Sequence, residues 1–112
     1  MMDPVVTALV LRSLDGLSAR SIATAQNVAN ASTPGYRPLR VSFERMLAAA
    51  ASGSPETIAA VRPRLEQGAP GETLRLDLEL ATASSTAGRY AALVELLGRQ
   101  MQLHGLSIMG NK

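Results

Sequence analysis

The chain has 112 residues, eleven Lys and Arg against nine Asp and Glu for a net charge of +2, and no cysteine. That length suits one small domain, and the missing cysteine excludes a disulfide framework, a thiol nucleophile and a thiolate metal site. Apolar residues reach 46% of the chain, yet only Tyr36, Phe43 and Tyr90 are aromatic, so long helices sharing a thin seam fit better than a thick core.

Asp3 is placed to cap a helix whose first turn accepts Pro4. Val6, Val10, Leu14, Leu17 and Ile22 then recur at helical spacing, with Ala8, Ala19, Ala23, Ala25 and Ala29 supplying small-residue surface. This predicts a helix from about Pro4 to Asn30, weakened by up to ~1 kcal/mol at Gly16 relative to alanine. The aliphatic run Val5 to Leu11 is too short to span a bilayer. Asp3 before it and Arg12 after it give the wrong charge order for a secretory signal.

The stretch Asn27-Val28-Ala29-Asn30-Ala31-Ser32-Thr33-Pro34-Gly35-Tyr36 ends that helix. Pro34 restricts Thr33 to extended backbone, and Asn30 is suited to the left-handed conformation that closes many helices. Pro34-Gly35 has the order of a type II turn. Tyr36 follows, an amphipathic ring able to pin the turn by a buried contact.

Residues Arg37 to Phe43 read as extended, and Glu44 to Ala51 as a short helix broken by Ser52-Gly53-Ser54-Pro55. Pro63, Gly68, Pro70 and Gly71 keep the following stretch loose, with Ile58, Val61 and Leu65 too sparse to build a core. Thr73 to Asp77 alternate in a way open to a short strand. From Leu76 the spacing is heptad-like: Leu76, Leu80, Ala83, Ala87, Tyr90, Val94, Leu97, Met101, His104 and Ile108 form a coiled-coil seam. Leu93, Leu96, Leu103 and Leu106 widen it beyond what one partner helix covers. The expected fold is mainly α, two long terminal helices forming a coiled-coil-like hairpin with an extended, partly irregular middle arm. Its segments are an N-terminal helix (1–31), a turn motif and arm (32–72) and a C-terminal helix (73–112). The uncovered apolar surface predicts a partner-dependent or polymerising protein.

No catalytic, cofactor or metal constellation emerges. His104 is the single histidine, and a packed seam residue is its simplest reading. Ser84-Ser85-Thr86 has no local base, Asp77 and Glu79 suit the positive end of a helix, and Gly68-Ala69-Pro70-Gly71 lacks the lysine of a phosphate loop. Arg37, Arg40, Arg45, Arg62 and Arg64 are diluted by Glu44 and Glu56, unlike the clustered face of a nucleic-acid binder.

The ten residues from Asn27 to Tyr36 resemble the signature of the bacterial flagellar basal-body rod protein family, an N-x-A-N-x-x-T-P-G-Y stretch matched here at Asn27, Ala29, Asn30, Thr33, Pro34, Gly35 and Tyr36. Tyr36-Arg37 with Val41, Phe43, Glu44 and Leu47 is similar to the proximal-rod branch, as are Thr73 to Glu79, Arg89-Tyr90 and Leu93 to Leu97. Thr86 and Gly88 depart from that branch, and residues 48–71 are unmatched. A sibling rod branch has a longer middle and is the alternative within the family.

The resemblance implies a non-enzymatic subunit of the rod, the drive shaft joining the membrane ring to the hook, exported by the flagellum's own type III apparatus without a cleavable signal. Its implied partners are other rod subunits, copies of itself, the basal adapter FliE and the export apparatus and membrane ring. Assembly would run through Leu80, Tyr90, Val94, Leu97, Met101 and Ile108. A soluble helical adapter or export chaperone that binds a partner helix needs the same seam and is the reading from another class.

Overall fold

The computed structural model describes residues 3–110, with side chains described as far as Gly105. The fold is mainly helical. α1 (Pro4–Ala29) is followed by β1 (Leu39–Ser42), α2 (Glu44–Ala50), α3 (Pro55–Ala59), β2 (Arg64–Gln67) and the 35-residue α4 (Leu76–Gly110). No strand forms between Thr73 and Asp77.

The Asp3 carboxylate accepts from the amides of Val5 and Val6, 2.8 and 3.4 Å away, and Pro4 occupies the first turn. At the other end Asn30 departs from the sequence expectation. Its φ of −106° and ψ of 15° are not left-handed. Its side-chain amide instead donates to the Gln26 carbonyl at 2.9 Å and accepts from the Thr33 hydroxyl at 3.1 Å. The exposed carbonyl of the last turn is thereby satisfied without positive φ. The turn itself forms as read: Gly35 has φ 74° and the Tyr36 amide donates to the Thr33 carbonyl at 3.2 Å.

α4 runs antiparallel to α1. Near its start Glu79 bonds Asn27 late in α1, and ten residues later Arg89 shares the Glu44 carboxylate with Arg20. At ~1.5 Å per residue α4 is about 52 Å long, which accounts for most of the molecule's 64 Å length against widths of 25 and 14 Å.

The middle segment overturns one expectation. Ile58, read as too isolated to join a core, is fully buried. The core cluster is Leu17 and Ala23 from α1 with Val41, Phe43, Leu47 and Ile58 from the middle. Two-thirds of it therefore comes from the segment read as a loose arm. Ser54 makes this possible by capping α3, its hydroxyl accepting from the Thr57 amide at 3.2 Å. β2 then pairs antiparallel with β1, placing Leu39 opposite Gln67 and Val41 opposite Leu65.

Gly16 has a packing role that helix propensity does not suggest. The Phe43 ring lies directly on it, so a Cβ there would overlap the ring. The Arg20 guanidinium lies over the same ring, 4.9 Å from its centroid. Gly16→Ala is expected to destabilise the fold by about 1–3 kcal/mol through overpacking, outweighing the ~1 kcal/mol gain in helix propensity. Urea unfolding checks this, and equal or higher stability would contradict the packing.

Candidate assembly surface

The first residue of the ten-residue motif is the hub of the structure. Asn27 is 1% exposed, and its amide group meets four partners. The nitrogen donates to the Leu39 carbonyl at 2.9 Å and to Glu79 Oε2 at 3.0 Å. The oxygen accepts from the Tyr36 hydroxyl at 2.7 Å and from the Leu39 amide at 2.8 Å. Both donors and two acceptor sites of the side chain are used. One residue thus ties together α1, the turn, β1 and α4.

Glu79, 7% exposed, completes the knot, its second oxygen 3.4 Å from the Arg40 guanidinium. A buried carboxylate requires such partners. Burial first, and the nearby Glu79 charge second, push the Tyr36 hydroxyl above its ordinary pKa. Tyr36 therefore stays protonated and donates to Asn27 throughout the neutral range.

A second clasp lies nearer the middle of α1. Arg20 donates to both oxygens of Glu44 at 2.7 Å and to the Val41 carbonyl at 2.8 Å, and Arg89 of α4 approaches Glu44 at 3.4 Å. The hydrogen bonds from Arg20 hold the Glu44 pKa down to about 2, against the opposing effect of partial burial. A depressed carboxylate contributes stability that is present above its unfolded pKa near 4.5 and lost as pH falls through about 2. Because Glu44 is half exposed, solvent screening makes that contribution modest. Glu44→Gln is expected to lower stability at pH 6 and to flatten its decline between pH 4.5 and 2, measured by urea midpoints across that range.

These two clasps set the rotation of α4. Besides Gly98 and Gly105, its sheltered positions are Glu79, Ala83, Thr86, Leu93, Leu97, Gln100 and His104, a helical stripe that mixes polar and apolar residues. Helical spacing puts Leu80, Val94 and Met101 on one flank of that stripe and Leu78, Leu96 and Leu103 on the other, while Tyr90 lies on the stripe itself, between Thr86 and Leu93. All seven are exposed, Val94 by 47% and Met101 by 59%. Of the seam predicted from sequence, Ala83, Leu97 and His104 turn inward, Tyr90 lies in line with them but stays 41% exposed, and Leu76, Leu80, Ala87, Val94 and Met101 face solvent. Ile108 lies outside the described side chains. Arg99 crosses one turn to Glu95 at 2.7 Å.

Of the motif, Asn27, Asn30, Thr33 and Tyr36 make the bonds described. Pro34 and Gly35 form the exposed turn tip, and Ala29 is an exposed small residue at the end of α1. Sequence reasoning missed Glu79, Arg20 and Glu44 as structural partners and Thr86 as a buried residue. For Glu79 and Thr86 the visible signal is a polar residue at a helical position where an apolar seam would be continuous. Among the described residues no helix is long and apolar enough to cross a membrane, and no cluster of three or more acidic, His or Cys residues is placed to hold a metal. The chain matches no protein-family model, curated protein or solved structure.

Proposed function

We propose that the chain is a structural subunit of the bacterial flagellar basal-body rod, of the proximal FlgB type rather than its sibling FlgC. The observation that carries this reading is the pair of apolar flanks on α4, left uncovered while the ten-residue motif ties the helix firmly in place. A side chain as bonded as Asn27 gives a physical reason for the rod-like motif: it holds α4 so that Leu80, Val94 and Met101 point outward. Exposed apolar area of this extent marks an association surface. The partners are other rod subunits, copies of the chain, the adapter FliE and the export apparatus at the membrane ring. A core cluster of only six residues suits passage through a narrow export channel, because little stability must be undone.

Fractionation tests the assignment. In flagellated cells the tagged chain is expected to co-purify with detergent-resistant basal bodies. Recovery only in the soluble fraction, bound to a single partner, would replace the rod reading with that of a helical adapter or export chaperone.

A further inference from the structure

The two-stranded sheet has one edge closed and the other open. The Gly68 amide donates to the Pro38 carbonyl at 2.7 Å, in the same register that pairs Leu39 with Gln67. Hydrogen-bonded pairs alternate in an antiparallel ladder, so Arg40 with Glu66 and Ser42 with Arg64 exchange bonds inside the sheet. Leu39 and Val41 of β1, and Leu65 and Gln67 of β2, therefore direct their backbone groups outward. On the β1 side three of those four groups are met. Asn27 takes both the amide and the carbonyl of Leu39, much as a third strand would, and Arg20 takes the Val41 carbonyl. On the β2 side the Leu65 backbone has no such partner. All four residues of β2 are exposed, Leu65 by 62%.

We propose that two copies of this chain pair edge to edge through β2, antiparallel and centred on Leu65. The sequence of the edge selects a second copy as its occupant. In that register Leu65 faces Leu65 of the other copy, and Arg64 of each chain lies opposite Glu66 of the other. Two opposite-charge pairs then flank one apolar pair, and cross-strand pairs of both kinds are stabilising. The Leu65 amide and carbonyl are supplied by the same groups of the second chain, as a two-fold contact requires. Pro63, two residues before Leu65, has no amide to donate, so the Gln67 carbonyl of the second copy gains no bond there and the pairing rests on the Leu65 backbone and the two charge pairs. Beside it lies an apolar groove of about 220 Å³ lined by Ile22, Leu39, Val41, Pro63 and Leu65, into which the second copy's Leu65 extends. The contact uses a different surface from the flanks of α4 and stands whether or not the chain is a rod subunit.

Sedimentation equilibrium of the full chain tests the pairing, carried out with Val94→Asp and Leu96→Asp both present so that neither flank of α4 contributes. A monomer–dimer equilibrium is expected. Leu65→Pro removes the outward amide, which an edge strand tolerates, together with the leucine of the apolar pair, and is expected to leave monomer alone with an unchanged circular dichroism spectrum. Arg64→Glu turns two attractive pairs into two repulsive ones and is expected to weaken dimerisation about tenfold. Adding Glu66→Arg to it restores opposite charges and is expected to recover the dimer. A chain that stays monomeric at every concentration, a dimer indifferent to Leu65→Pro in its folded form, or a double reversal that fails to recover association would each overturn the proposal. The charge reversal and its rescue decide the matter even if the proline variant does not fold.

Discussion

Asn27→Ala is expected to destabilise the chain by about 3–5 kcal/mol, because it orphans several buried groups at once rather than removing one contact. The Leu39 amide and carbonyl lose their partner, the Tyr36 hydroxyl loses its acceptor, and Glu79 loses the donor that meets its buried oxygen. For a small domain whose total stability is about 5–15 kcal/mol, that is a large fraction of the whole. Asn27→Asp keeps two acceptor bonds but sets a carboxylate against Glu79 and the Leu39 carbonyl, so it is expected to be at least as damaging. Thermal and urea unfolding followed by circular dichroism check both. A loss of under about 1 kcal/mol for either would show that the knot is peripheral to the fold.

The second large effect is on assembly and not on folding. Val94 is half exposed on α4, so Val94→Asp is expected to leave the circular dichroism spectrum and the melting curve of the free chain nearly unchanged. In an assembled interface the same carboxylate would be buried without a partner, at a cost of ~3 kcal/mol or more, which corresponds to roughly a hundredfold weaker association. Expression should persist while incorporation into basal bodies and swimming are lost. Leu97→Asp is the less informative variant, because Leu97 is already sheltered in the single chain and its replacement confounds folding with assembly. Normal motility with Val94→Asp would remove that flank of α4 from the interface.

What could be read in the sequence was local. Asp3-Pro4 marked the start of α1, Pro34-Gly35 marked the turn, and Ser52-Gly53-Ser54-Pro55 marked the end of α2, since each signal acts within a few residues. Asn30 was misjudged because left-handed backbone and side-chain capping satisfy the same carbonyls, and only the positions of Gln26 and Thr33 decide between them. The long-range knot was invisible for another reason. Asn27 could be read as part of a helix stop, but its partner Glu79 lies 52 residues away, and nothing in either local pattern links them. Glu79 and Thr86 also explain the rotation of α4. Apolar periodicity alone assigns the inward face to the greasiest stripe, whereas buried Glu79, held by Asn27 and Arg40, and buried Thr86 rotate the helix so that part of that stripe faces out. Ile58 was underrated because a lone apolar residue in a Gly- and Pro-rich stretch acquires value only when Ser54 and Pro55 start a helix that aims it at Leu17 and Phe43.

The central claim is that one folded copy leaves the Val94 flank of α4 in water and that assembly covers it. Because the chain contains no cysteine, Val94→Cys introduces a unique thiol, and its rate of maleimide labelling reads that flank directly. Rapid labelling of the purified chain and strong protection in isolated basal bodies is the expected result. Equal labelling in both, or protection already complete in the dilute single chain, would contradict it.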